Sequence, residues 1–233
     1  HSRLGLISSS LPENLPSNIE GLHFHVLCES SAAALVKVLE NFEKKFKKYL
    51  PNIKWLNMGG GHLITKDGYD VELLVNTLKY FKKKYQVEII LEPGGAIAWQ
   101  TGFLKTTIID IVENQGSPTA IMDASFTCHM PDCLEMPYRP EIMEGSYHAE
   151  KYPFRYNIGG VSCLAGDFLT DYSFSKPLKI GNTLTFQDMM HYTMVKTTMF
   201  NGIDHPSIGV IRADDRFELL KTFTYQDYRD KLS

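Results

Sequence analysis

IEGLHFHVL at residues 19–27, IKWLNM at 53–58 and VEIIL at 87–91 are three short apolar runs, and they decide the predicted fold. Such runs are typical of strands that are buried on both faces of a sheet. Two longer segments, 30–49 and 70–85, lie between them and repeat apolar side chains at helical spacing. The order strand, helix, strand, helix, strand predicts βαβ units with parallel strands.

The pattern changes after Trp99, where predicted strands follow one another without intervening helices. These strands cover residues 103–113, 119–126, 183–187, 192–199 and 207–213. Turn signals rich in glycine, proline and asparagine separate them, which is typical of antiparallel sheets. The predicted fold class is therefore α/β plus β, with a first domain over residues 1–100 and a mostly antiparallel β-domain over residues 101–233.

The composition of the 233 residues excludes several classes of protein. With 43% hydrophobic and 22% charged residues, the chain is neither disordered, nor collagen-like, nor a coiled coil. No apolar run approaches the ~20 residues of a membrane span, so we expect no membrane partner. The net charge of −3 argues against a broad basic surface, and we expect no nucleic-acid partner.

Cysteine usage bears on the compartment and on metal content. The chain has four cysteines: Cys28, Cys128, Cys133 and Cys163. No two of them form a CxxC pair, so a zinc ribbon is poorly supported and we expect no metal. A chain with a full hydrophobic core does not need disulfides, and we therefore expect reduced thiols in a cytoplasmic protein.

Each of the three predicted parallel strands is followed by a loop of unusual residues. HVLC (25–28) follows the first strand, GGGH (59–62) the second and EPGG (92–95) the third. Ligands of α/β sheets and barrels bind at the carboxyl ends of the strands. Three neighbouring strand ends with special residues therefore predict one shared ligand site.

The residues at these strand ends suit pyridoxal phosphate. Gly59, Gly60 and Gly61 would let backbone N–H groups approach a phosphate, although a plain tight turn also uses glycine. Glu92 would pair with a protonated ring nitrogen, although it could instead form a salt bridge or cap a helix. His25 could stack on the ring or could be a core residue. Together they predict a pyridoxal phosphate site in which the protonated ring acts as an electron sink.

Six segments carry a resemblance to one enzyme family: FHVLCES (24–30), LNMGGGH (56–62), LEPGG (91–95), HMPDCLEMPYRP (129–140), VSCLAGD (161–167) and HYTMVKTTMFNG (191–202). They resemble the alanine-racemase-like (fold type III) pyridoxal phosphate decarboxylases, which include the ornithine, arginine and diaminopimelate enzymes. The resemblance is greatest to the carboxynorspermidine (carboxyspermidine) decarboxylases of bacterial polyamine synthesis. It implies the C-terminal part of a pyridoxal-phosphate-binding (β/α)8 barrel, followed by a mostly antiparallel β-domain.

The resemblance assigns eight residues to the cofactor: His25, Cys28, Gly59, Gly60, Gly61, Glu92, Gly94 and Tyr192. His25 matches a histidine that stacks on the cofactor ring. Tyr192 matches a tyrosine that reaches the phosphate from the β-domain, although it could simply be a strand residue packed on a sheet. Cys28 stands where relatives have a phosphate-contacting serine, which is a departure from the family pattern.

The resemblance also assigns catalytic and substrate-binding roles. The catalytic residues are His25 and Cys163, and Cys163 matches a cysteine that crosses a dimer interface and protonates the carbanion after carbon dioxide leaves. The residues assigned to the substrate are Asp132, Asp167 and Gly95. Gly95 replaces a charged residue of relatives and so removes one expected substrate contact. Cys163 could instead be a small buried residue, and Asp132 could cap a turn.

The lysine that forms the Schiff base with the cofactor is expected upstream of the given chain. No segment here matches the first barrel strand of the family, which carries that lysine. Lys196 is interpreted as a solvent-facing strand residue instead. We therefore interpret the sequence as part of a longer decarboxylase.

The implied function is the decarboxylation of carboxynorspermidine or carboxyspermidine to norspermidine or spermidine, by a homodimer with shared active sites. These substrates are polycations, so carboxylates such as Asp132 should line their channel. Three alternatives stay open: a non-catalytic fragment or interaction protein that lacks the Schiff-base lysine, a diaminopimelate-type decarboxylase, and a racemase on the same scaffold. Gly95 argues against the diaminopimelate enzyme, and Glu92 argues against the racemase.

Overall fold

The computed structural model describes residues 2–233, which divide into two compact units. The first unit ends at Trp99, and the second unit is Gln100–Ser233. Each unit has a hydrophobic core of its own. None of the helices among residues 2–233 is long and apolar enough to cross a membrane.

The first unit contains a small parallel sheet with helices between its strands. The strands, in their order across the sheet, are β1 (Gly21–His23), β2 (Trp55–Asn57) and β3 (Glu88–Ile90). The helices are α1 (Ala32–Phe46), α2 (Val71–Tyr85) and α3 (Gly94–Ala98). The predicted order of strands and helices is confirmed, whereas closure into a (β/α)8 barrel stays a prediction.

Local sequence explains where the two long helices begin and end. The Ser31 side chain accepts a hydrogen bond from the Ala34 N–H (3.3 Å), which caps the start of α1. The Asp70 side chain accepts one from the Leu73 N–H (2.8 Å) at the start of α2. Helix α2 ends at Tyr85 and is followed by Gln86, whose φ of 57° is left-handed. Lysines in the last turn of each helix suit the negative end of its dipole.

The apolar faces of α1 and α2 pack with the sheet in one core. Leu35 and Leu39 of α1, Leu56 of β2, and Leu74 and Phe81 of α2 are all buried in this cluster. Because the three strands are parallel, the loops that follow them emerge at the same edge of the sheet.

The second unit is built on a six-stranded sheet in the order β6-β8-β7-β5-β4-β9. Its strands are β4 (Phe103–Val112), β5 (Thr119–Met122), β6 (Gly145–Ser146), β7 (Phe154–Gly159), β8 (Phe168–Phe174) and β9 (Thr183–Gln187). All neighbouring pairs are antiparallel except β5 and β7, which are parallel. An antiparallel hairpin of β10 (Ile208–Ile211) and β11 (Phe217–Lys221) follows. The prediction of a mostly antiparallel β half is confirmed.

Four helices accompany these strands: α4 (Phe126–His129), α5 (Asp132–Glu135), α6 (Tyr192–Lys196) and α7 (Tyr225–Leu232). Helix α4 explains why the predicted strand 119–126 stops early, at Met122. The Ser125 hydroxyl accepts a hydrogen bond from the Cys128 N–H (3.1 Å) and so begins a helix. Phe126 of α4 then packs edge-on against Phe186 of β9 in the core.

The structure shows that the predicted strand 192–199 is wrong. Helix α6 occupies the first part of this segment, so Lys196 is a helical residue and not a solvent-facing strand residue. Its ammonium group pairs with the carboxylates of Asp132 and Glu135 on α5. These ion pairs hold the end of α6 against α5, which local strand preference does not reveal.

Candidate functional site

Glu92 lies at the centre of a polar cluster at the carboxyl edge of the parallel sheet. Its Oε1 accepts a hydrogen bond from Nδ2 of Asn57 at 2.7 Å. Its Oε2 lies 3.4 Å from Nδ1 of His25, and its Oε1 lies 3.9 Å from Nε2 of His23. The Asn57 hydrogen bond and the two imidazoles lower the pKa of the Glu92 carboxyl. Glu92 therefore presents a carboxylate at neutral pH.

His23 and His25 add two imidazoles on the same side of the sheet. Their ring centroids are 5.9 Å apart, and the rings meet edge to face. One nitrogen of each ring and a carboxylate oxygen of Glu92 lie within 4.8 Å of one another. Such a set can hold a divalent metal, and the same carboxylate can instead accept a hydrogen bond from a protonated cofactor ring nitrogen. All three side chains are exposed, so a ligand can reach them.

The glycine run after β2 packs tightly against the loops that follow the other two strands. A Cβ on Gly59 would lie 2.7 Å from the Phe24 carbonyl oxygen, and a Cβ on Gly60 would collide with the Glu92 carbonyl oxygen. A Cβ on Gly61 would also collide with the loop after β1. Gly59 and Gly61 have left-handed φ angles of 71° and 80°. Close packing of the three loops therefore explains glycine at these positions, and the phosphate contact stays a prediction.

Backbone hydrogen bonds tie the three loops together. The Glu92 N–H donates to the Gly59 carbonyl oxygen at 2.8 Å, and the Ser30 N–H donates to the Gly61 carbonyl oxygen at 2.7 Å. The structure thus brings His25, Glu92 and the glycine run to one place. The predicted convergence of the three strand ends is present in the fold.

Three further predicted site residues flank this cluster. Cys28 is exposed, and its N atom would lie 2.8 Å from a Cβ on Gly61. Gly94 begins α3, and its N–H donates to the Glu92 carbonyl oxygen at 2.8 Å. Gly95 follows in the same short helix. All three lie beside the cluster, and their roles stay predictions.

His62, which directly follows the glycine run, received no role from the sequence. Its side chain is 1% exposed, and neither ring nitrogen has a well-formed hydrogen bond within residues 2–233. Burial lowers the pKa of this imidazole, so it is neutral at pH 7. An imidazole that is buried without a well-formed hydrogen bond is costly, which makes His62 an additional candidate at this edge. Its position at the end of GGGH is the only sequence signal for it.

Cys163 lies in an exposed loop of the second unit. Its Sγ accepts a hydrogen bond from Nδ2 of Asn201 at 2.8 Å. The thiol is therefore neither buried nor packed as a small apolar residue. Asn201 is a second residue that the sequence did not single out, although it belongs to the quoted HYTMVKTTMFNG segment.

The buried carboxylate of Asp167 holds the loop that carries Cys163 through hydrogen bonds. It is 4% exposed, and its Oδ2 accepts hydrogen bonds from the Ser125 hydroxyl (2.8 Å) and the Ser162 N–H (3.0 Å). Its Oδ1 accepts one from the Thr127 N–H at 3.1 Å. Both oxygens are thus engaged by the protein, which makes Asp167 an anchor of the loop in this structure. Its assignment to the substrate stays a prediction.

Asp132 and Tyr192 lie at the beginnings of α5 and α6. The Asp132 carboxylate, 16% exposed, pairs with Lys196, and Lys196 also pairs with Glu135. These hydrogen-bonded carboxylates, first Asp132 and then Glu135, raise the pKa of the Lys196 ammonium. Tyr192 is an exposed helical residue and not a strand residue. Two carboxylates against one ammonium leave this cluster with one net negative charge.

The chain matches the family described as pyridoxal-dependent decarboxylase, C-terminal sheet domain, over residues 24–190. It is 53% identical to the carboxyaminopropylagmatine decarboxylase of Synechocystis sp., over 99% of this chain and 60% of that protein. It is 45% identical to the carboxynorspermidine/carboxyspermidine decarboxylase of Campylobacter jejuni, over 98% of this chain and 62% of that protein.

Solved structures agree with these relatives. The crystal structure of carboxynorspermidine decarboxylase complexed with norspermidine from Campylobacter jejuni has a TM-score of 0.85 at 45% identity, and the match covers 99% of this chain and 65% of that one. The chain spans 60% and 62% of the two curated relatives' own lengths. The family match over residues 24–190 and identities of 45% and 53% establish the family. The chain belongs to the pyridoxal-dependent decarboxylases of fold type III and carries their C-terminal sheet domain.

Proposed function

We propose that the full-length protein decarboxylates a carboxylated linear polyamine with pyridoxal phosphate as its cofactor. The observation that carries the proposal is the cluster of Glu92, His25 and the glycine run 59–61 at one edge of the parallel sheet. The relatives at 53% and 45% identity are named for carboxyaminopropylagmatine and for carboxynorspermidine and carboxyspermidine. A carboxylated polyamine is the substrate class that these names share.

The residues at the sheet edge fit pyridoxal phosphate. The glycine run offers backbone without side chains, which suits a phosphate. Glu92 is a carboxylate at neutral pH and can hold a proton on the ring nitrogen, and the His25 imidazole, 54% exposed, can lie on the ring face. When bound, pyridoxal phosphate supplies the electron sink that decarboxylation needs. We propose Cys28, Gly94 and Tyr192 as further cofactor contacts.

Cys163 is proposed to supply the proton that replaces carbon dioxide at the substrate α-carbon. Its S–H bond breaks, the proton forms the new C–H bond, and the electron pair stays on the sulfur. Exposure of the thiol and the anchored loop that carries it support this role. The family resemblance places such a cysteine across a dimer interface, so we propose a homodimer with shared active sites. Sedimentation of the full-length protein as a monomer would contradict this arrangement.

The cluster of Asp132, Glu135 and Lys196 is proposed to meet the cationic tail of the substrate. Its net negative charge attracts an ammonium or a guanidinium group, and carboxylates form strong, charge-assisted hydrogen bonds with both. We also propose that Gly95, which has no side chain, leaves space near the cofactor rather than supplying a substrate contact.

Carbon dioxide release by the full-length protein tests the proposal. The substrates are carboxynorspermidine, carboxyspermidine, carboxyaminopropylagmatine and diaminopimelate. We expect turnover of at least one carboxylated polyamine. We expect kcat/KM on diaminopimelate to be lower by about tenfold or more, because diaminopimelate lacks the polyamine tail and would leave the carboxylates of the site unpaired. Release of carbon dioxide from diaminopimelate alone, or from none of the four, would overturn the proposal.

A further inference from the structure

The side-chain amide of Asn201 donates a hydrogen bond to the thiol of Cys163. The two atoms, Nδ2 and Sγ, are 2.8 Å apart, and the residues are 38 positions apart in the chain. A thiol sulfur is a weak acceptor, whereas a thiolate carries a full charge and accepts much more strongly. The contact therefore favours the sulfur after it has given up its proton.

Asn201 makes this contact from a left-handed backbone conformation. Its φ of 59° and ψ of 19° are left-handed, and Gly202 follows with a φ of 75°. Residues other than glycine avoid this region, and asparagine is among the few that tolerate it. The Gly202 N–H donates to the Met199 carbonyl oxygen at 3.0 Å and closes the turn. The closed turn therefore fixes the direction in which the Asn201 side chain leaves the backbone.

The loops that carry the amide and the thiol are anchored to the same short helix, α4. The Thr198 N–H donates to the Cys128 carbonyl oxygen at 2.8 Å, three residues before Asn201. On the other side, the Asp167 carboxylate accepts from the Thr127 N–H at 3.1 Å. Because both loops are hydrogen-bonded to α4, the amide and the thiol are held close together. The hydrogen bond from Asn201 to Cys163 is therefore supported by the packing of the second unit.

We propose that Asn201 is a positioning residue that orients the Cys163 thiol and stabilises its thiolate. The inference rests on the proposed function, in which Cys163 protonates the α-carbon. When the S–H bond breaks and the proton moves to carbon, the electron pair left on sulfur accepts a hydrogen bond from the Asn201 side-chain N–H. A proton from water later restores the thiol. Asn201 moves no proton itself and acts through its hydrogen bond to the sulfur.

The test measures the thiol directly, in the full-length protein. Iodoacetamide alkylation is followed against pH, and mass spectrometry reads the tryptic peptide 156–179, which has Cys163 as its only cysteine. Asn201→Gly keeps the left-handed backbone and removes the donor, and Asn201→Asp keeps the shape but replaces the donor with a carboxylate. We expect the alkylation rate of Cys163 near neutral pH to fall several-fold in Asn201→Gly and further in Asn201→Asp, because the thiolate loses its hydrogen-bond donor. We expect kcat to fall several-fold in both variants, with a smaller change in KM.

Two controls separate this effect from a loss of structure. Asp215→Gly changes another exposed, left-handed residue of the second unit, with a φ of 60°, and should leave the Cys163 profile unchanged. Alkylation of Cys28 in the same samples reports on the first unit. A Cys163 that does not react in the wild-type protein, or a profile that is the same in the wild type and both variants, overturns the proposal. Because alkylation needs no turnover, a protein without decarboxylase activity can still confirm or refute the contact.

Discussion

His129 is a buried imidazole in α4, beside the anchors of the Cys163 loop. It is 2% exposed, and its Nδ1 accepts a hydrogen bond from the Ser125 N–H at 3.2 Å. Burial lowers its pKa to about 4, so the folded protein holds it neutral. The unfolded chain binds a proton to this residue near pH 6.5, which makes the stability of the second unit depend on pH.

The depressed pKa of His129 predicts a loss of stability in acid. Its contribution is complete above pH 6.5 and falls as the pH drops towards about 4, because only the unfolded state gains the proton. We expect the wild type to lose about 2 kcal/mol more than His129→Asn between pH 7.5 and pH 5, since asparagine can accept the Ser125 N–H but does not titrate. Urea unfolding of the full-length protein at the two pH values measures the difference. Equal losses in both proteins would contradict this account.

Residues at the ends of the parallel strands could be predicted from the sequence, whereas their partners could not. Glu92, His25 and the glycine run stand out because each follows an apolar strand. Asn57 and Asn201 do not, because their roles depend on atoms that lie 35 and 38 positions away. An asparagine in a strand or a turn is common, and only the fold shows which group it meets.

Helix α6 shows how tertiary contacts override local preference at the level of one element. Its sequence, YTMVK, contains tyrosine, threonine and valine, which favour strands. In the fold the segment is helical, and its Lys196 pairs with Asp132 and Glu135 of α5. The same ion pairs give α5 and α6 a shared charge cluster, which the strand interpretation of Lys196 missed.

Lys196 is expected to compete with the cationic tail of the substrate for the two carboxylates of α5. Lys196→Met keeps the length of the side chain and removes its charge, so KM for a carboxylated polyamine should fall by about twofold to fivefold. This range corresponds to an exposed ion pair of at most about 1 kcal/mol. Asp132→Asn should raise KM instead and leave retention of the cofactor unchanged. Steady-state kinetics of the full-length variants measure both changes, and a KM that rises equally in the two would show that Lys196 orients Asp132 rather than competing.

At the scale of the whole molecule, the division into an α/β part and a β part could be predicted from hydrophobic patterning. Strands β6, β7, β8 and β11 could not. Strand β8 contains Asp171 with a left-handed φ of 63°, and the β7–β8 register shifts between Tyr156 and Ile158. Such irregularities break the alternation of apolar and polar residues on which strand prediction depends. Strand β11 is exposed along its whole length and has no apolar face turned to a core.

The central claim is that Glu92, His25 and the glycine run form one surface for pyridoxal phosphate. A Cβ on Gly60 would collide with the Glu92 carbonyl oxygen and would lie 3.4 Å from Cε1 of His25. Gly60→Ala therefore disturbs all three parts of the surface at once. Gly166→Ala is the matched control, because a Cβ there meets no atom within 4 Å.

Titration of the full-length protein with pyridoxal phosphate, followed by absorbance, tests this claim most directly. We expect the wild type and Gly166→Ala to bind the cofactor equally, and Gly60→Ala to bind at least about tenfold more weakly while keeping its circular dichroism spectrum. Equal affinity of all three proteins for pyridoxal phosphate would contradict the account.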